Sequence, residues 1–403
     1  MHNEELQKNI FDCIVIGKGL IGSAAAKYLS LNNSNVAVIG PDEPTGDISK
    51  SVIFSSHYDS GRVQRIIGKD AVWTRLNQQS AKQYPSLEKE SGIQFHWGVG
   101  CFYVTPDEDD PHLKQLPELE KEFDISYQLF ENGEAINEAC SDYVFPSGVT
   151  GIFQPAPAGH INPRHLIKAQ LTIFKKNGGS VFNEVVNSIT YENDKIILTS
   201  LQGNVYHTKK ILFTPGAFAN FFGLLPQKLA LRLKSETIIL ARVSETESQR
   251  LENLPSMLYE IKTETFDSIY LIRPVQYPDG NYYLKMGTNL AKDIFFSTLE
   301  EIQDWFKNGN SDAHLETQKQ ALMQVMPDLK AEAFFTKRCI ITYTETGRPY
   351  VGKADDKAVY VATGGNGYGA MCSDELGRVA AHLVTEEKLP DEYPDDAFKV
   401  AFA

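Results

Sequence analysis

Two glycine-rich segments lie near opposite ends of the 403-residue chain, and their spacing suits the holding of phosphate. The first, Gly17-Lys18-Gly19-Leu20-Ile21-Gly22, follows the apolar run Phe11 to Ile16 and leads into SAAAKYLSL, a strong helix former. Gly17 permits a tight turn out of a strand, and Gly19 lets backbone N–H groups approach a pyrophosphate. Gly22 lets the helix pack closely on the sheet, and the helix N-terminus supplies partial positive charge. Val36 to Ile39 is a second buried-strand candidate, which completes a βαβ unit. That strand ends in Gly40-Pro41-Asp42-Glu43 rather than in the acidic residue that would hold an adenosine ribose. Asp42 is either that ligand, reached from slightly further along, or an ordinary turn residue like Glu43. The second segment, Gly364-Gly365-Asn366-Gly367-Tyr368-Gly369-Ala370-Met371, follows the apolar run Val359 to Thr363 and opens another helical stretch. A plain NAD site needs only the first unit. Two converging on one ligand predict a bulky dinucleotide held between distant segments.

The elements between them must bring the two ends together. Residues 70–92 carry Trp73, Leu76, Ala81, Tyr84 and Leu87 near helical spacing, with Gly92 as the stop. Residues 94–149 shift towards aromatic, acidic and proline-containing segments. Asn162-Pro163 opens a helix that Gly178-Gly179 ends. Strand-like runs follow at 181–193, 195–204 and 206–216, the last ending at Thr214-Pro215-Gly216. Residues 229–289 alternate like strands, with a hairpin at Pro278-Asp279-Gly280-Asn281. Residues 297–328 read as helical, with Trp305 and Leu322 on apolar faces.

Composition narrows the function. With 42% hydrophobic residues the chain can bury large cores. Its 39 Lys and Arg against 52 Asp and Glu give a net charge of −13, which disfavours nucleic acid and anionic membrane surfaces as partners. No apolar run is long enough to span a bilayer, and MHNEELQKNIFDCIVIG runs straight into a strand without a signal-peptide pattern. Cys13, Cys101, Cys140, Cys339 and Cys372 are too few and too scattered for a disulfide framework or a metal site, so a reducing cytoplasm is expected.

Ordered along nearly the whole chain are GKGLIGSAAA, HYDSGRVQR, GHINPRHLIKA, ILFTPGAF, YLIRP…YYLKMG, CIITYTETGRPYVG and VYVATGGNGYGAM. With these motifs the sequence resembles the D-amino-acid oxidase-like flavoproteins, closest to the monomeric sarcosine oxidase and glycine oxidase branch. The resemblance implies an α/β (α+β) fold: a discontinuous, Rossmann-like FAD-binding domain (1–95, 150–222 and 340–403) with an inserted mixed or antiparallel-sheet substrate domain (96–149 and 223–339). It implies FAD contacts from Gly17, Gly19, Leu20, Ile21, Gly22, Asp42, Ser56, His57 and Arg62. Val186, Gly216, Gly364, Gly367, Tyr368, Gly369, Ala370 and Met371 are expected to add to them.

The resemblance also places the chemistry. The family's HGDTRxxR motif matches His57, Asp59, Ser60, Arg62 and Arg65, with Gly61 inserted, and its last arginine binds the substrate carboxylate. Arg65 has the fork for that, or else lies with Arg62 on a solvated turn. Lys285 matches the family's oxygen-activating lysine, although Asn289 replaces the histidine that often follows it. Tyr343 matches a tyrosine on the substrate side of the flavin, and Arg273 offers a further anion contact; either is otherwise structural. The family's carboxylate-binding lysine falls at Gly369 or Met371, and its flavin-linking cysteine at Ile341, two residues beyond Cys339. The two-cation clamp is therefore incomplete and FAD is expected to be non-covalent.

These features together predict an FAD-dependent oxidase of an amine or amino acid, N-methylated or not, that makes an imine and returns electrons to O₂ as hydrogen peroxide. The expected partners are a small-molecule amine and O₂, in a monomer or homodimer. The alternatives are a dehydrogenase of the same fold serving a quinone or carrier protein, and a non-catalytic flavin-binding subunit.

Overall fold

The computed structural model describes residues 10–31, 35–192 and 195–403; the start of the chain read above for targeting signals, residues 1–9, lies outside them. Ile10–Ile16 pairs in parallel with Val36–Ile39 on one edge and Val205–Phe213 on the other. The run VAVI is buried at all four positions, as a parallel strand covered on both faces must be. Ser180–Phe182 extends the sheet in parallel beyond Val36–Ile39, and Val359–Thr363 does so beyond Val205–Phe213. The run expected as one strand over 181–193 is therefore divided. Val186–Glu192 joins a hairpin with Lys195–Ser200, and between the two pieces the Asn183 side chain turns to accept the Asp42 N–H at 2.6 Å.

The first and last helices, Leu20–Ser30 and Ser373–Glu386, cross closely against this sheet. Lys27 and Asp374, both buried, pair at 2.5 Å across the crossing, and Tyr28 donates to Asp374 at 2.7 Å. Gln170, on the helix Pro163–Lys176, donates to the same carboxylate at 3.2 Å. Asp374 thus joins helices from the beginning, middle and end of the chain. A methyl group on Gly377 would stand 2.3 Å from the Ala24 Cβ and 2.6 Å from the Ala25 nitrogen. Gly377→Ala is accordingly expected to destabilise by about 1–3 kcal/mol through overpacking. An unshifted urea midpoint would contradict so close a crossing.

A larger, nine-stranded sheet carries Leu231–Val243, Phe266–Gln276, Tyr282–Leu290 and Ala331–Thr344 in antiparallel pairing. Thr150–Gln154, expected on the dinucleotide side of a boundary at 150, belongs here: it pairs in full register with Cys101–Thr105. Ile152 at its centre needs a partner strand to be buried, and Cys101–Thr105 supplies one. A three-stranded sheet of Arg62–Gln64, Gly159–Ile161 and His96–Trp97 stands beside it.

Two helical expectations are refined. The stretch 297–328 breaks at Gly309-Asn310 into Leu299–Asn308, opened by a Thr298/Glu301 capping box, and Leu315–Val325. The C-terminal glycine segment does not itself open its helix, since the helix starts at Ser373 with Cys372 as its cap. Among the described residues no helix is long and apolar enough to cross a membrane, and no group of three His, Cys, Asp or Glu residues could hold a metal ion.

Candidate cofactor and substrate site

Both glycine segments open onto one cavity of 580 Å³, which continues to the strands of the larger sheet. Gly17 has φ +111°, and a Cβ there would stand 2.4 Å from the Thr214 carbonyl oxygen. Thr214 stitches the turn by donating its hydroxyl to the carbonyls of Ile16 and Gly17 at 3.1 and 2.9 Å. A Cβ on Gly22 would fall 1.9 Å from the Gly17 oxygen, so the helix approaches its own turn as closely as glycine permits. No side chain caps that helix, which leaves its first N–H groups for a ligand. This cradle fits the pyrophosphate of a flavin dinucleotide.

Across the cavity Gly364 and Gly367 both have φ +81°. Asn366 fastens that loop to the end of the strand Ala331–Thr344. Its amide oxygen accepts the Thr344 N–H at 2.9 Å, and its own N–H donates to the Thr342 carbonyl at 3.0 Å. Gly17, Gly19, Leu20, Ile21, Ser56, His57, Arg62 and Gly216 all line the cavity. So do Tyr343, Gly364, Gly367, Tyr368, Gly369, Ala370 and Met371. Gly22, Asp42, Arg65, Val186, Arg273 and Lys285 lie outside its wall.

The segment after His57 is a charged knot. Asp59 is buried, accepts the Tyr277 hydroxyl at 2.6 Å, and pairs with Lys285 and, at 3.4 Å, with Arg62. Burial raises its carboxyl, yet Lys285 and Arg62 outweigh that and hold it well below the usual carboxylate range. Lys285 is fully buried one layer behind the cavity and also donates to the Gly61 carbonyl at 2.9 Å. Burial, then the Arg62 guanidinium, draws it down to about 8 despite Asp59. Arg62, on the wall, donates to the Ser56 carbonyl at 2.6 Å. Burial and the cations Arg164, Arg62 and Lys18 take His57 down to about 3, so its ring is neutral.

Arg65 is 2% exposed, and among the described residues no carboxylate pairs with it. Its Nη1 donates to the His112 Nε2 at 3.3 Å, its guanidinium lies 5.3 Å from the Tyr368 ring, and its buried Nε has no partner. Burial, then Arg65 itself, keeps His112 neutral and able to accept. A buried guanidinium served by a neutral imidazole and a ring face has room for an anion in direct contact; among the described residues the Glu260 carboxylate on the wall feels its charge without pairing with it.

The other expected residues divide by chemistry. Asp42 is 65% exposed and pairs with Lys18 at the rim, while Glu43 takes Arg164 in a two-point pair at 2.6 Å each. Val186 is core in its hairpin. Arg273 lies 5.6 Å over the Trp97 ring and donates to the Pro274 carbonyl at 3.2 Å, a packing role within the larger sheet. Cys339 and Ile341 both reach the wall, and no cation stands at Gly369 or Met371. Sequence reading missed Lys234, Glu236 and Asp293, all on the wall. The available signal was LRLKSETIIL, in which Arg232, Lys234 and Glu236 recur at every second position and so share one face of a strand that continues into the apolar run Ile238 to Leu240.

A family model described as FAD dependent oxidoreductase (DAO) matches residues 12–383. Monomeric sarcosine oxidase of Bacillus sp. (strain NS-129) is 21% identical over 386 residues, covering 94% of each chain. N-methyl-L-tryptophan oxidase of Yersinia pestis (strain Pestoides F) is 23% identical over 210 residues, covering 52% of this chain and 54% of that one. Among solved structures, the open form of NikD, an unusual amino acid oxidase essential for nikkomycin biosynthesis, superposes with a TM-score of 0.74 at 17% identity over 98% of both chains. L-proline dehydrogenase from P. horikoshii gives 0.74 at 17% identity over 97% of both. These two share the fold.

Proposed function

The chain belongs to the family of FAD dependent oxidoreductases, and from that premise we propose that it oxidises a small amine or amino acid to the imine and passes the electrons to O₂. The observation that carries this reading is Arg65, a buried cation without an anionic partner, set against Tyr368 on the wall shared by both glycine segments. Bound FAD supplies the two-electron acceptor. The turn at Gly17–Gly22 would hold its pyrophosphate, and Ser56, His57, Gly216 and the loop Gly364–Met371, which line the same cavity, would supply the further contacts.

Arg65 takes the substrate carboxylate in its fork, with His112 holding one nitrogen in place. Tyr343 and Tyr368 position the substrate and keep water from the reacting carbon. Arg62 on the wall and Lys285 behind it give that side a positive field, which favours negative charge developing on reduced oxygen. Lys285 acts through that field, its ammonium being already committed to Asp59 and Gly61. Five free thiols, four of them buried, suit a reducing cytoplasm.

The test is direct. Purified protein should be yellow or become so on adding FAD, lose that colour anaerobically with an amino acid of a screened set, and release peroxide in air. Release of the flavin on acid precipitation is the expected sign of non-covalent binding. A protein that takes up no flavin rules the reading out, and one that bleaches without releasing peroxide is a dehydrogenase.

A further inference from the structure

The strand Leu231–Val243 brings to the cavity a carboxylate that the reading above leaves unused. Glu236 is 3% exposed and lines the wall, and among the described residues its Oε2 has no hydrogen-bond partner. The nearest cation, Lys234 on the same strand, is 3.6 Å from that oxygen, too far for a hydrogen bond. Lys234 is drawn instead towards Asp293 at 3.2 Å and donates to the Asn289 amide oxygen at 3.4 Å. A buried carboxylate oxygen without a donor is costly, and a ligand N–H reaching this wall would supply one.

We propose that Glu236 receives the ammonium group of the substrate and takes one proton from it, so that the amine is neutral when it is oxidised. The inference rests on the amine-oxidase reading and names the residue that prepares the substrate. In this step one N–H bond of the ammonium breaks and one O–H bond forms on Glu236. The electron pair stays on nitrogen, and no oxidant is involved. Burial penalises a carboxylate and an ammonium alike, and moving the proton removes both charges together.

Several groups face Glu236. Lys234 stands on its own strand, Asp293 follows the strand Tyr282–Leu290, and Arg62 and Lys285 come from the strands Arg62–Gln64 and Tyr282–Leu290. Cys339 is its register partner on Ala331–Thr344, the same strand brings Tyr343, and Tyr270 faces it from Phe266–Gln276. Burial is the main influence and Asp293 adds to it, against Lys234, Arg62 and Lys285, so the carboxyl stands at about 7. It can therefore gain and lose a proton near neutrality.

The experiment uses the FAD-loaded enzyme and 2-aminoisobutyrate, an amino acid with no hydrogen on its α-carbon to be oxidised. Calorimetric titration above neutral pH, in two buffers of different ionisation heat, counts the protons exchanged on binding. The wild type should exchange about none, because the ammonium proton passes to Glu236. Glu236→Gln should release about one proton to buffer and bind about tenfold more tightly per pH unit gained. An infrared difference spectrum should show a protonated-carboxyl band when the probe binds to the wild type, so the proposal remains testable if Glu236→Gln does not fold.

Equal proton counts in the two proteins, absence of that band, or failure of the wild type to bind the probe would overturn the proposal. A visible flavin spectrum displaced by Glu236→Gln before any ligand is added would overturn it too, by placing the carboxylate on the cofactor. If amines bleach the flavin and the counts are equal, this assignment alone falls. If no flavin is taken up, it falls with the reading beneath it.

Discussion

Arg65→Gln is expected to leave the flavin bound while weakening carboxylate ligands by about 2–5 kcal/mol, or roughly thirtyfold to several thousandfold. The side chain is buried, and among the described residues its Nε is unpartnered and its only hydrogen-bond partner is the neutral His112. The positions where the family's second cation falls are Gly369 and Met371, so only Lys69, on the wall 4.2 Å over the same Tyr368 ring, stands among the described residues to retain part of the binding. Titrating a simple carboxylate against the flavin spectrum measures the loss. Arg65→Lys should recover little, since an ammonium cannot meet His112 and a carboxylate in the same plane. An unchanged dissociation constant would move the anion site elsewhere, and a matching loss for amines without a carboxylate would make Arg65 a structural residue.

The second large effect concerns Lys285. Lys285→Met leaves the buried Asp59 with Arg62, the Tyr277 hydroxyl and the Ser60 N–H but without its closest cation, and should lower stability by about 3–5 kcal/mol, read from urea unfolding. Adding Asp59→Asn to it should recover most of that loss, because the stranded charge goes too; additive losses would contradict the pairing. In whatever fraction of Lys285→Met folds, reoxidation by O₂ should slow more than reduction by substrate. Equal slowing of both steps would end the oxygen assignment and leave the lysine a purely structural partner of Asp59.

Residues whose requirements are local could be read from the sequence. Gly17 and Gly22 announce themselves because a turn into a helix against a sheet tolerates nothing larger, and the contacts of 2.4 and 1.9 Å that a Cβ would make are the same constraint in space. Gly92 ends its helix at φ +70° for a similar reason. What stayed hidden depends on partners far away in sequence. Glu236 and Lys234 look like ordinary strand charges until Asp293 and Asn289 arrive from a neighbouring strand and its following loop. Asn366 reads as one more turn residue until its amide meets Thr344. Lys285 was legible as important, but its commitment to Asp59 is a contact 226 positions away that no spacing encodes. The boundary expected at 150 falls before Thr150–Gln154 rather than after it because a short strand does not name its partner in sequence.

The Lys27–Asp374 pair spans 347 positions. During translation, the opening helix therefore leaves the ribosome carrying a lysine whose counter-ion has yet to be synthesised, and the turn at Gly17–Gly22 must wait equally long for the loop that faces it. Capture of the vitamin-derived ligand is consequently one of the last events in biogenesis, and a prematurely stopped chain ending before Gly364 would emerge with half a binding site and an unpaired buried charge.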